Sequence, residues 1–341
     1  MEAPGLSLSA EGETMTDLVA LDIGGTHARF ALASVDGEGR IALGEPETLR
    51  TDDYASLRTA WEEFERRCGC ELPRNAAIAI AAPVTGETVR MTNNSWVIHT
   101  GRIDEQLGLD RVCVLNDFAA VAHAVAQAEA SEFLHLAGPD VPLPAAGTIS
   151  VLGPGTGLGV AHLRRGAGGN YHVQATEGGH VDFAPVDHVD DIILARLRRL
   201  HRRVSVERVV SGPGIVAIHH ALASLEGRAV PEEDDRTIWE NGLAGTDSLA
   251  AAAVERFCLS LGSAAGDFAL AHGAGAVVIA GGLGYRIRET LRASGFAERF
   301  RFKGRYEQMM AGLPVKLITH PQPGLFGAAA AFARQYREEL A

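Results

Sequence analysis

Lysine is almost missing from this chain of 341 residues: it occurs only at Lys303 and Lys316. A Walker-type phosphate loop needs Gly-Lys-Ser/Thr, and neither of the two glycine turns described below carries a lysine. Cysteine is nearly as scarce. Cys68, Cys70, Cys113 and Cys258 make neither a disulfide framework nor a zinc spacing, and Cys113 falls in the strand-like run Val112 to Leu115, so reduced thiols are expected. No apolar run reaches bilayer length, and residues 1–17 are acidic and polar, without the basic start and apolar core of a signal peptide. The expected location is the cytoplasm, with no membrane partner. Acid outweighs base, with a formal charge of -12 and a pI near 5.5, which argues against a nucleic-acid partner because a phosphate backbone selects basic stripes. The one basic run, Arg196 to Arg203, follows Asp190-Asp191 in a helix-like segment whose acidic start and basic end complement the helix dipole. It reads as a solvated helix.

What the chain has in quantity is apolar residues, 46%, and glycine, 39 residues, over a length sufficient for two domains with separate cores. Two of the glycine clusters stand between paired apolar runs. Leu18 to Leu21 leads into Asp22-Ile23-Gly24-Gly25-Thr26 and Phe30 to Ala33 leaves it; Thr148 to Leu152 and Gly159 to Leu163 flank Gly153-Pro154-Gly155-Thr156-Gly157 in the same way. Both read as β-hairpins. Glycine lets backbone amides approach a phosphate where a Cβ would collide, and the Thr hydroxyls add donors. A dinucleotide fold would need G-x-G-x-x-G to open a helix, whereas here the chain returns as a strand. Either turn alone reads better as an unliganded hairpin; their recurrence, with Asp22 at the end of the first strand, reverses that and favours a pair that grips one polyphosphate.

A third strand near Ile41 to Leu43 follows the first hairpin, then a helix from Tyr54 to Cys68 with Leu57, Trp61 and Phe64 on one face. Next come a buried strand Ala76 to Ala82, a polar loop around Asn93 and Asn94, a short helix Ile103 to Leu107, the strand Val112 to Leu115 and an alanine-rich helix Phe118 to Ala130. After the Pro-rich stretch Gly138 to Pro144 the pattern repeats at larger scale: hairpin, glycine loop, helices and the buried strand Ala276 to Ala280. Such alternation indicates α/β units with mixed sheets, in which ligands gather at strand ends.

Several polar groups stand at such ends. Asp117, preceded by Asn116, is both a candidate helix cap and a carboxylate placed to take a proton from a hydroxyl. Thr176-Glu177-Gly178-Gly179-His180 puts a carboxylate and an imidazole on one glycine loop; the glycines argue against a metal-binding helix, and the pair suits a polyhydroxylated ligand, whose hydroxyls each want a donor and an acceptor. Glu207, ahead of a glycine-rich turn, reads alone as a surface glutamate. Gly281-Gly282 after a buried strand is either an ordinary turn or a place where a flat ring approaches the backbone. Pro323-Gly324-Leu325-Phe326-Gly327 starts a C-terminal helix, Ala328 to Tyr336.

Taken together, the segments LDIGGTHARFALA (21–33), MTNNSWVI (91–98), VLNDFAAVAHAV (114–125), GPGTGLGVA (153–161), TEGGHVDFAP (176–185), ERVVSGPGI (207–215), AGGLGYRI (280–287) and FKGRYEQMMAGLPVKLITHPQPGLFGAA (302–329) resemble the bacterial glucokinases of the hexokinase, heat-shock-cognate and actin superfamily. The resemblance implies a two-lobed α/β fold of the actin-like ATPase (ribonuclease H-like) type, with a mixed sheet in each lobe and the active-site cleft between them. It implies a small lobe at 18–127 completed by 326–341 and a large lobe at 128–325, and residues 1–17 ahead of the first strand are expected to be a disordered extension. The implied reaction is ATP-dependent phosphorylation of glucose to glucose 6-phosphate with Asp117 as general base. Sugar contacts are implied at Asn93, Asn116, Asp117, Glu177, His180 and Glu207, and nucleotide contacts at Gly24, Gly25, Thr26, Gly155, Thr156, Gly157, Gly281 and Gly282. Asp22 matches the acidic residue near magnesium, and a homodimer is implied. Asn94-Ser95 and His27 depart from the family pattern and bear on sugar preference or closure. Phosphorylation of another hexose, or a non-catalytic sugar-responsive role on the same fold, are the competing functions.

Overall fold

The computed structural model describes residues 15–91, 94–231 and 233–340. Residues 1–14 of the expected extension, and the sugar-loop candidate Asn93, lie outside the described residues. The chain divides into two units, one of Met1–Gln127 with Gln322–Ala341 and one of Ala128–Pro321. The expected two α/β lobes, each with a mixed sheet, are both present.

In the first unit β1 (Thr16–Ile23) and β2 (His27–Val35) form the predicted hairpin, in register from Thr16 opposite Val35 to Ile23 opposite Ala28. Thr16 and Asp17 were expected in the extension; they belong to the strand, because cross-strand pairing with Val35 and Ser34 continues the ladder. β3 (Ile41–Leu43) and β4 (Glu47–Arg50) both pair with β2. Ser56 then caps α1 (Leu57–Cys68) through a reciprocal box with Thr59, and the helix buries Leu57, Ala60, Trp61 and Phe64. β5 (Asn75–Ile80) lies parallel to β1; β6 (Val89–Arg90) and β7 (Val97–Ile98) form a small ribbon; α2 (Ile103–Leu107) leads to β8 (Arg111–Asn116), parallel to β5. The alanine-rich α3 (Asp117–Gln127) begins directly at the end of β8 and stops short of the expected Ala130, where a 3-10 turn takes over.

The second unit has β9 (Phe133–Ala137), β10 (Gly147–Pro154), β11 (Leu158–Arg165) and β12 (Tyr171–Thr176), then α4 (His188–Leu200), α5 (Gly214–Leu225), α6 (Asp235–Ala244) and the long α7 (Ser248–His272). β13 (Ala276–Ile279), α8 (Gly281–Arg286), α9 (Arg288–Ala293), α10 (Phe296–Arg301), α11 (Glu307–Ala311) and β14 (Val315–Ile318) complete it. The chain then returns to the first unit as α12 (Pro323–Gln335), which starts at Pro323, earlier than expected, with proline in its first turn where no amide partner is lost.

The duplication that is faint in sequence is plain in topology. One sheet runs β3-β2-β1-β5-β8 and the other β12-β11-β10-β13-β14, with β9 added at the edge. In each, an antiparallel hairpin adjoins two parallel strands, so each glycine turn stands at the carboxyl end of a central strand. β1 is buried on both faces. Val19, Leu21 and Ile23 face a core with Trp61, Phe64 and Trp96, while Leu18 and Ala20 face a layer of small residues on α3 and α12. Small side chains there let the helices approach backbone to backbone: a Cβ on Gly327 of α12 would lie 1.7 Å from the Ala120 carbonyl oxygen of α3.

Two local expectations change. Cys68 and Cys70 are not free thiols but a disulfide; Gly69, in the left-handed conformation at the end of α1, turns the chain so that their Cα atoms stand 5.3 Å apart. Cys113 and Cys258 are free and buried, and burial pushes each thiol up to about 12. On α4 the cap is Asp187, and Asp190 is buried rather than exposed. Both carboxylates meet Arg256 and Arg299, which tie α4 to α7 and α10. The chain's two lysines are also structural: Lys303 pairs with Asp267 at 2.7 Å and Lys316 with Asp140 at 2.9 Å. Among the described residues, no helix is long and apolar enough to cross a membrane.

Candidate active site

The first unit gathers a glycine turn and two carboxylates at the carboxyl ends of β1 and β8. At the turn, the Gly24 amide donates to the His27 carbonyl at 2.9 Å and closes the hairpin. The carbonyls of Gly25 and Thr26 accept from Thr51, at 2.9 and 3.1 Å, and that of Gly24 accepts from Asn94 Nδ2 at 3.4 Å. The amides of Gly25 and Thr26 have no acceptor among the described residues. Asp22 is the next-to-last residue of β1, its side chain is 22% exposed, and Arg29 Nη1 donates to it at 3.3 Å. Loss of solvent raises the Asp22 carboxyl above its ordinary range, and the Arg29 guanidinium only partly counters that. A Cβ at Gly324, in the first turn of α12, would lie 2.7 Å from Asp22 Oδ2.

The two readings of Asp117 separate in the structure. The cap is Asn116: its Oδ1 accepts from the amides of Phe118 at 2.9 Å and Ala119 at 3.1 Å, while its Nδ2 donates to the Ala82 carbonyl at 3.2 Å. Asp117 is instead the first residue of α3, with one carboxylate oxygen accepting from the Phe118 amide at 2.8 Å. Asn116, expected as a sugar contact, is thus engaged chiefly with the backbone. Asn94, whose Oδ1 accepts from the Trp96 amide at 2.8 Å, joins the polar loop to the first turn.

The second unit brings Glu177, His180 and Glu207 together. His180 Nε2 stands 3.7 Å from Glu177 Oε2, and its Nδ1 3.9 Å from Glu207 Oε1. Gly178 and Gly179 form a single 3-10 turn there, packed so tightly that a Cβ on Gly179 would lie 2.2 Å from the Leu158 carbonyl oxygen. Glu207 is no isolated surface residue: its Oε2 accepts from the Leu158 amide at 2.8 Å, and a Cβ on Gly157 would come within 2.5 Å of the same oxygen. The second turn and the sugar-type carboxylate are therefore one assembly. His180, Glu207, Ser205, Arg203 and Arg208 line a cavity of ≈ 290 Å³. Ser205 and Arg208 were not singled out in the sequence, and Arg203, expected in a solvated helix, lies beyond the end of α4 at Leu200.

On the other side of the second turn lies a cavity of ≈ 400 Å³ that unites Gly155, Thr156 and Gly282 with Asp235, Trp239 and Arg286. The Gly155 carbonyl accepts from the Gly212 amide at 2.7 Å, and the Gly212 carbonyl accepts from Trp239 Nε1 at 3.0 Å. Arg286 places its guanidinium 5.5 Å from the Trp239 ring centroid. Gly281 and Gly282 are not a simple turn but the start of α8; Gly281 has a φ of 83°, and a Cβ there would lie 2.9 Å from the Pro154 carbonyl oxygen. Trp239 and Arg286 escaped notice because they lie on helices remote in sequence from the turn they meet. The predicted residues thus form two sets: Asp22, Gly24, Gly25, Thr26, Asn116 and Asp117 in one unit, and the remainder of the described ones in the other. Among the described residues, no three His, Cys, Asp or Glu side chains gather as a metal cage.

Residues 18–335 match a family model described as Glucokinase. The chain is 55% identical over 322 residues to the glucokinase of Zymomonas mobilis subsp. mobilis, covering 94% of this chain and 99% of that one. It is 43% identical over 320 residues to the glucokinase of Caulobacter vibrioides, covering 93% and 95% of the two chains. Among solved structures, a glucokinase from an Antarctic psychrotroph superposes with a TM-score of 0.81 at 34% identity, over 93% of this chain and 99% of that one.

Proposed function

The chain belongs to the glucokinase family, and from that membership we propose that Asp117 is the general base of an ATP-dependent transfer of the γ-phosphoryl group to the 6-hydroxyl of glucose. The observation that carries the assignment is the placement of Asp117: it is the first residue of α3, directly where β8 ends, so its carboxylate stands at the carboxyl end of a strand and on the positive end of the helix dipole. Glucose is held by Glu177, His180 and Glu207, whose acceptors and imidazole suit vicinal hydroxyls. The amides of Gly25, Thr26, Thr156 and Gly157 meet the polyphosphate, while the cavity beside Trp239 and Gly282 takes the nucleoside.

In the reaction, Asp117 orients the 6-hydroxyl for in-line attack and receives its proton as the new P–O bond forms and the bond to the leaving ADP breaks. The turn amides stabilise charge on the transferring group. Magnesium bound with the nucleotide would supply further neutralisation of the phosphate charge. Asp22 fits such an ion: a single carboxylate, disfavoured as an anion by burial, suits a cation that keeps most of its waters and takes its other ligands from phosphate. The need for ATP supports a cytoplasmic location, and the family resemblance supports a homodimer; sedimentation of the purified protein tests the latter.

Initial-rate phosphorylation of a hexose panel with magnesium and ATP tests the whole reading, and glucose should be the best substrate. Glu177→Gln should raise the glucose KM roughly 10–100-fold with a smaller change in kcat, because it weakens charge-assisted hydrogen bonds to hydroxyls. An unchanged KM for every hexose would remove Glu177 from the sugar site. Gly157→Ala separates two roles for that glycine. Its Cβ would intrude on Glu207 Oε2 at 2.5 Å, so the glucose KM should rise by about tenfold, the effect of displacing one hydrogen-bonding carboxylate. A rise confined to the ATP KM would assign the glycine to phosphate alone.

A further inference from the structure

Every carbonyl of the first glycine turn is held from behind, and one residue holds two of them. Thr51, only 1% exposed, donates its hydroxyl to Gly25 O at 2.9 Å and its amide to Thr26 O at 3.1 Å. It follows directly on β4 and opens a 3-10 turn, and the pairing of β4 with β2 through Arg50 and His27 fixes its distance from the glycine turn. A peptide unit is rigid, so drawing a carbonyl inward turns the amide of the same unit outward. The Gly25 carbonyl shares its peptide unit with the Thr26 amide, and the Thr26 carbonyl shares its own with the His27 amide. Free to rotate, those units could present carbonyl oxygens, which repel a phosphate, instead of N–H groups, which bind it.

We propose that Thr51 is a positioning residue for nucleotide binding: its buried hydroxyl and amide lock the first glycine turn with its amides directed at the polyphosphate. This rests on the reading of Gly25 and Thr26 as phosphate contacts. It makes no use of Thr51 as a ligand, since the side chain is spent on Gly25 O and is sealed from solvent. The chemistry asks for threonine or serine at this position, because valine has nearly the same shape but cannot donate.

The test is a comparison of Thr51→Val with Thr51→Ser. Valine should raise the ATP KM by about tenfold, the effect of one lost hydrogen bond to a part-buried carbonyl, and leave the glucose KM within twofold. Serine should restore the ATP KM to near its original value. Calorimetric binding of ADP and of adenosine gives a readout independent of turnover: ADP should weaken in Thr51→Val and adenosine should not. An unchanged ATP KM in Thr51→Val, or equal rises in both substrates' KM that serine fails to reverse, overturns the positioning role. Thr51→Ala, with less bulk against the core, repeats the comparison should valine fail to fold. Gly25→Val separates the two levels: if it weakens ADP while Thr51→Val does not, only Thr51 is misassigned, and if neither weakens ADP the phosphate reading of the turn falls with it.

Discussion

Asp117→Asn should lower kcat by roughly 10²–10⁴-fold, the usual contribution of a positioned general base, while the glucose Kd changes by no more than a few fold. Asn keeps the size of the side chain and its acceptor for the Phe118 amide, 2.8 Å away in the native protein, so α3 should start as before. What disappears is the capacity to accept the hydroxyl proton. The companion variant Asn116→Ala removes the cap and should cost about 1 kcal/mol of stability without comparable loss of kcat. Stopped-time phosphorylation assays with thermal melts of both variants make the comparison. If Asp117→Asn turns over at near-normal rate, or if the Asn116 variant loses activity to the same extent, the base is elsewhere.

Gly327→Ala is expected to be among the most destabilising single-methyl additions in the chain. The new Cβ would lie 1.7 Å from Ala120 O, 2.5 Å from Ala120 C and 3.0 Å from Ala124 N, all backbone, so no side-chain rotation relieves it and α3 and α12 must separate. Overpacking of this kind costs about 3 kcal/mol at the upper end of its usual range, and the melting temperature of the first unit should fall by several degrees. Gly101→Ala, with nothing within 4 Å of the new Cβ, is the control and should melt as the native protein does. The same helix pair carries Asp117 at the start of α3 and Gly324 against Asp22 at the start of α12. Activity in Gly327→Ala should therefore fall below the melting transition as well as above it. Equal stability of the two variants would mean that the helices can part without penalty.

Much of the framework was legible because it is local. Apolar runs on either side of Gly24-Gly25 and of Gly155-Thr156-Gly157 mark both hairpins, whereas two helix starts were misplaced: α1 begins at Leu57 behind its Ser56 cap rather than at Tyr54, and α12 at Pro323 rather than Ala328. The order of the strands was not legible, since the pairings of β1 with β5 and of β10 with β13 join segments separated by crossovers whose length carries no register. The site divided along the same line. Glu177 and His180 share a loop and could be paired on sight, but Glu207 is fixed by an amide 49 residues earlier, Leu158, which no local pattern betrays. Trp239 is joined to the second turn through Gly212, whose carbonyl accepts from the indole and whose amide donates to Gly155. One-residue ambiguity explains the cap: Asn116 and Asp117 are both good capping types, and only the exact point at which β8 becomes α3 selects between them. The disulfide escaped because Cys68 and Cys70 are too near in sequence to suggest a bridge until Gly69 bends the chain between them.

The pairing of both lysines has a practical corollary. Their side chains are only 9% and 10% exposed, and each ammonium is committed to an aspartate, so an acylating reagent meets no freely available ε-amine on the native surface. Both belong to the Ala128–Pro321 unit. Slow amine labelling at Lys303 and Lys316, read by mass spectrometry, thus amounts to a built-in clock for the opening of that unit, blind to whatever the other unit does.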